Sequence, residues 1–136
     1  MSYNPQDVEI LIRRVHGRCK AAPQYGTMLP VLIEQCMKSK LPIFDIGMGY
    51  YTSVVLHYLF GDRVTSLEAF EPGPDPRIVS YDGMDRRIEP SWLIPGSIWV
   101  LHDMDDEYCQ QAVSLLTQHP HSICQLYPRT LVARIC

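Results

Sequence analysis

Several features that would place a chain in a class at once are scarce here. Basic residues are not in excess: 12 Lys+Arg stand against 15 Asp+Glu, a formal net charge of −3. Nucleic-acid binding normally shows as a basic domain or stripe, and the pair Arg86-Arg87 is too small to make one. No apolar run approaches the roughly 18–20 residues of a membrane span, and MSYNPQDVEI has no apolar signal-peptide core. Cysteine is present without a pattern. Cys19, Cys36, Cys109, Cys124 and Cys136 are an odd number with no C-x-x-C spacing. They read as reduced thiols of a cytoplasmic protein, not as a disulfide frame or a zinc site. Repeats, linkers and low-complexity runs are lacking too.

The chain is also short. Its 136 residues make one domain, and 46% apolar with 20% charged residues is enough to bury a core. An α/β unit of strand, helix and two loops takes about 27 residues, so about five fit.

Eleven prolines and eight glycines punctuate what is there. Asn4-Pro5 and Asp7 open a helix with apolar Val8, Leu11, Ile12 and Val15, and Gly17 stops it. Thr27 caps a second, Met28 to about Met37, apolar nearly all round and therefore expected to be buried. Residues 1–40 thus read as N-terminal helices, and 41–136 as the core of the same domain. Pro42–Ile46 is an unalternating strand ending in Gly47-Met48-Gly49. Thr52 or Ser53 caps a third helix with Val54, Val55, Tyr58 and Leu59, closed by Gly61. Val64–Phe70 and Arg77–Tyr81 read as strands around the turn cluster Pro72–Pro76. A helical piece over Arg86–Leu93, broken by Pro90, precedes the strand Ser97–Leu101. Asp105, Asp106 and Glu107 lead a helix with apolar positions 108, 112, 115 and 116, ended by His119-Pro120. Ile123–Tyr127 and Thr130–Ile135 form a hairpin across Pro128-Arg129. The alternation gives an α/β fold: a three-layer, Rossmann-like domain with a mainly parallel sheet of about five or six strands and an antiparallel C-terminal hairpin.

Phe44–Thr52 (FDIGMGYYT), between a strand and a helix, carries the sharpest signal. Glycines there let the backbone turn tightly against a ligand before the free N–H groups of a helix start. Glu68, nineteen residues after Gly49, stands where an acid holds a ribose diol. Thr52 occupies the place of a third glycine, which disfavours a pyrophosphate cofactor. With Asp45 on the strand itself, the pattern suits a cationic nucleoside. A tight strand-to-helix turn without a ligand is the plain alternative.

From Leu41 to Asp103 the chain resembles the class I S-adenosylmethionine (SAM)-dependent methyltransferases. Ile43–Thr52 (IFDIGMGYYT) is similar to that family's first motif, and Val64–Glu68 (VTSLE) to its second strand with the ribose acid. Ile78–Gly83 (IVSYDG) resembles the fourth strand, Leu93–Asp103 (LIPGSIWVLHD) the fifth, and the terminal hairpin the reversed last strand. The resemblance implies SAM as cofactor, with Asp45, Gly47, Gly49 and Thr52 at its methionine and ribose part. It implies Glu68 at the ribose hydroxyls and Asp82 toward the methionine or substrate side. Tyr25 and Thr27 would close over the site. Eight residues separate Glu68 from Arg77, where the family has helix, strand and helix. The connection 71–76 reaches only about 20 Å. Either strand 77–81 is short and displaced, or it folds back on 64–70 as an antiparallel hairpin, which would carry Asp82 away.

Asp82, His102, Asp103, Asp105 and Asp106 form a second constellation. His102 or Asp103 is the expected general base, removing a proton from the methyl acceptor. Two carboxylates holding Mg²⁺ is a second use, and charging a helix N-terminus a third. The functions to weigh are a SAM-binding methyltransferase, a non-enzymatic binding or assembly module, and a small metal-dependent hydrolase. The expected partner is a small nucleoside, with neither nucleic acid nor membrane, and a homo-oligomer can cover the sheet edge that the abridgement exposes.

Overall fold

Ile43-Phe44-Asp45-Ile46 has no apolar/polar alternation, the mark of a strand covered on both faces. It forms the inner strand β1 (Ile43–Ile46) of the sheet. The structure is a computed structural model describing residues 6, 10, 25–47, 50–82 and 86–136, with backbone alone for 25–27, 50 and 51. Parallel to β1 lie β2 (Val64–Leu67) on one side and β3 (Ile78–Tyr81) on the other. β4 (Ile98–His102) runs parallel to β3, and the hairpin of β5 (Ser122–Tyr127) and β6 (Thr130–Ile135) adds β6 antiparallel to β4. The chain is thus α/β, with a six-stranded mixed sheet in the order β2-β1-β3-β4-β6-β5.

Strand periodicity sorts the core into two clusters. Ile43, Val64, Ile78, Val100 and Val132 face one side, where helices α1 (Tyr25–Met37) and α2 (Tyr50–Phe60) cover them. α1 buries Met28, Leu29, Leu32, Ile33 and Cys36, a stripe at helical spacing, and leaves Pro30 and Glu34 to solvent. α2 contributes Val55, Leu56 and Phe60, and Gly61 (φ 51) turns the chain out of it in the left-handed region that glycine tolerates. Ile46, Val79, Tyr81, Trp99, Leu101 and Leu131 face the other side. Helix α3 (Gln110–Gln118) covers part of it with Ala112 and Leu116, and stops where His119 precedes Pro120.

The connection from β2 to β3 decides what lies at the strand ends. β3 is parallel to β1, so the antiparallel hairpin does not form, and Asp82 stays at the C-terminal end of the sheet, its N–H bonded to the Ile46 carbonyl at 3.0 Å. The reason is that β2 stops at Leu67, three residues before the apolar run ends at Phe70. A four-residue strand needs a return of only about 13 Å, and two strand spacings add about 10 Å sideways. Residues 68–77 reach about 33 Å and cross β1 as an extended strap. Two residues hold the strap down. The Phe70 ring lies 4.8 Å from Trp92 and 5.0 Å from Trp99 between centroids. The Arg77 guanidinium stacks 4.7 Å over Phe44, and donates to the carbonyls of Glu71 and Asp75.

Two local expectations are corrected. Within 86–93 the only helical turn is the 3-10 turn Pro90–Trp92, because Ile88 pairs with the Gln111 amide through both its N–H and its carbonyl, and leaves none for a helix ladder. The helix before His119 likewise begins as a 3-10 turn, Glu107–Cys109. The first predicted helix lies outside the described residues except for Gln6 and Ile10, which are helical. Among the described residues no helix is long and apolar enough to cross a membrane.

Candidate ligand site at the strand ends

Because β1 to β4 are parallel, the residues following each of them emerge on one edge of the sheet. β1 is also where the connections reverse: the chain leaves it through α2 on one face toward β2, then returns over the opposite face to β3. In open α/β sheets the crevice at such a reversal is the usual ligand site. Gly47, Glu68, Asp82 and Asp103 all fall there.

Gly47 begins the turn out of β1 with φ 94, a conformation that costs an L-residue roughly 1–2 kcal/mol. Its N–H is tied to the Leu67 carbonyl at 2.8 Å, which fixes the turn against β2. Gly49 lies outside the described residues, as do the side chains of Tyr25, Thr27, Tyr50 and Tyr51. Asp45 points to the helix-covered face and is fully buried. Its Oδ2 accepts hydrogen bonds from Ser53 Oγ on α2 and from Ser66 Oγ on β2, the latter at 2.8 Å. Among the described residues its Oδ1 has no partner, nor has the Thr52 hydroxyl, which is also buried. Glu68 is exposed just past β2.

Asp82 is engaged from within the protein. Arg86, itself buried, forms an ion pair with Asp82 at 3.0 Å and with Asp103 at 3.6 Å. It also donates to the His102 carbonyl and to Cys109 Sγ. Burial pushes the Asp82 carboxyl up to about 6; Arg86 pulls it down, and the carboxylates of Asp103 and Asp45 add to the rise. Asp103 turns the chain out of β4 with φ 52, and Arg129 lies 3.2 Å from it, 3.0 Å from Asp105 and 3.5 Å from Asp106. The three acids after β4 therefore surround a guanidinium; Asp106, which precedes the turn Glu107–Cys109, makes no side-chain cap.

His102 shares the face of Asp45. Its Nε2 lies 2.9 Å from Ser80 Oγ, while its Nδ1 and the hydroxyl of the adjacent Thr130 have no partner. Burial, reinforced by Arg86, lowers its pKa to about 3, so the ring is neutral at pH 7. A side chain with no exposed surface does not take a proton from a bound substrate in this conformation. Asp103, at 14% exposure, is a strand-end carboxylate with an open side.

The sequence pattern thus leads to one sheet edge for Asp45, Gly47, Thr52, Glu68, Asp82 and Asp103, while His102 lies beneath it. It does not reveal Arg86, Arg129 or the serines 53, 66 and 80. Residue parity is the signal that was available for His102: Ile98, Val100 and His102 alternate onto one face. Among the described residues no group of three or more His, Cys, Asp and Glu side chains is arranged to hold a metal ion. Compared with protein-family models and with curated proteins, the chain matches none.

Proposed function

We propose that this domain binds a cationic nucleoside, SAM, at the Gly47 turn, as a three-layer Rossmann-like domain of the class I methyltransferase type. The observation that carries the reading is the Asp45 carboxylate. It is fully buried beside the turn, held by two serine hydroxyls through one oxygen, and its other oxygen has no partner among the described residues. A buried anionic oxygen without a partner is costly, and a cationic ligand relieves that cost. Glu68, exposed at the end of the neighbouring parallel strand, suits the ribose hydroxyls. The strand arrangement supports the reading as well: β2 and β3 flank β1, both parallel to it, and the last strand is reversed, as the resemblance implies. The strap stands where that family has a helix, a strand and a helix.

When bound, SAM supplies an electrophilic methyl group on a sulfonium. The chain's own work is to seat the cation on the Gly47 turn, where the buried Asp45 acts through its charge and not by contact, and to accept the acceptor's proton at Asp103. Arg86 and Arg129 already engage Asp103, and both compete with an acceptor for its oxygens. That observation favours a second reading, a binding module without transfer.

Calorimetry and thermal shift with SAM and with its demethylated product test the reading, with Mg²⁺ as a separate arm. A ligand at 100 times its dissociation constant adds about 2.7 kcal/mol of stability. Binding is expected for the wild type and lost in Gly47→Arg and Glu68→Ala. No response to either nucleoside at millimolar concentration overturns the proposal. Binding with no turnover across amine and hydroxyl acceptors selects the second reading.

A further inference from the structure

The sheet has two edges, and they differ. β2 is four residues long and is flanked by Asp62, Arg63, Glu68 and Glu71, the short and charged kind of edge that resists pairing. β5 is six residues, Ser122-Ile123-Cys124-Gln125-Leu126-Tyr127, with no charge and no proline. Ile123 is 54% exposed and Leu126 65%. The Cys136 N–H bonds to the His121 carbonyl, so odd-numbered residues of β5 turn their backbone groups toward β6, and those of Cys124 and Leu126 point outward. Among the described residues, β5 itself carries none of the charges, prolines or bulges that protect an edge strand.

We propose that β5 pairs antiparallel with β5 of a second copy of this chain, about a two-fold axis through Gln125, joining two sheets into one. The strand is self-complementary in this register. Cys124 and Leu126 of each copy exchange N–H···O bonds with Leu126 and Cys124 of the other. Ile123 faces Tyr127 on the side of α1, Leu126 faces Cys124 on the side of α3, and the two Gln125 amides meet at the axis. Both exposed apolar side chains thereby gain a partner. The polar groups at the two ends of the strand agree with the antiparallel sense. Arg129, beyond the end of β5, is ringed by Asp103, Asp105 and Asp106, a local excess of negative charge. His119 and His121 precede the start of β5, and the pairing brings them to that end of the second copy. The edge is about 20 Å long. α3 flanks it on one face, while on the other the groove beside Gln35 and Lys38 separates it from α1, so the footprint is roughly 400 Å² per copy, the size of a weak, concentration-dependent dimer.

Sedimentation of the full chain and a disulfide trap test this. The wild type is expected at twice 15.6 kDa at about 100 µM, and Leu126→Lys, a surface change, at 15.6 kDa with an unaltered circular-dichroism spectrum. In a Cys124→Ser, Cys136→Ser background, Gln125→Cys is expected to cross-link under mild oxidation. Ile123→Cys, which faces Tyr127, is expected not to. A monomeric wild type overturns the proposal, as does a dimer that Leu126→Lys leaves intact or cross-linking that is equal at 123 and 125. Nucleoside binding is read separately, so either proposal can fail alone.

Discussion

Changing the pH is expected to act on Asp82 and His102 in opposite directions, and the two effects nearly cancel. Asp82 titrates at about 6 in the folded chain against an ordinary value of 3.8, because burial disfavours its charge. The folded state therefore holds this proton more tightly than the unfolded state. Its contribution is complete below pH 3.8 and lost as pH rises through 6, amounting to about 3 kcal/mol at 1.36 kcal/mol per unit. His102 is at about 3 against 6.5, so its contribution is complete above 6.5 and lost as pH falls toward 3, about 5 kcal/mol in all. Between pH 6 and 4 the first gains about 2 kcal/mol and the second loses about 2–3 kcal/mol. Urea denaturation at half-unit steps across this window separates them. His102→Gln, which leaves Ser80 a partner, is expected to gain about 2–3 kcal/mol relative to wild type on going from pH 6 to 4. Asp82→Asn is expected to lose about 2 kcal/mol over the same interval. Other carboxylates are common to all three proteins and drop out of the differences. If both variants follow the wild-type curve within 1 kcal/mol, neither group is held as described and the argument fails.

Two further outcomes follow from the packing. Arg86→Met leaves the Asp82 carboxylate buried without its cation and is expected to cost about 3–5 kcal/mol in chemical denaturation at pH 7; Asp82→Asn in the same background is expected to recover most of it. Phe70→Ala removes the ring between Trp92 and Trp99 and is expected to cost about 3 kcal/mol, with cleavage by a protease within residues 68–77 preceding global unfolding.

The parts of the fold that were legible rest on local chemistry. Unbroken apolar runs mark β1 and β4, Gly61 ends α2, and Pro128-Arg129 makes the turn between β5 and β6. The strap was not legible in the same way. Val64–Phe70 reads as one strand because Phe70 is apolar and strand-forming, yet that ring is used across the sheet, against Trp92 and Trp99, and a contact 22 residues away leaves no mark on local periodicity. The site divides along the same line. Asp45, Gly47, Glu68 and Asp82 follow from strand ends and spacing. The partners that set their charge, Arg86 above all, come from a segment with no regular structure and meet groups on three different elements.

The strap also has a consequence for how the domain can change in size. Residues 68–77 belong to no helix or strand, and they leave from β2, the last strand on that side. Chain inserted at Pro72–Pro76 can lay down another parallel strand beside β2 without disturbing any pairing that exists. Deletion of the same residues would instead pull β3 out of register. The domain is open to growth at this place, and lengthening it there is how the same sheet would acquire a wall beyond Glu68.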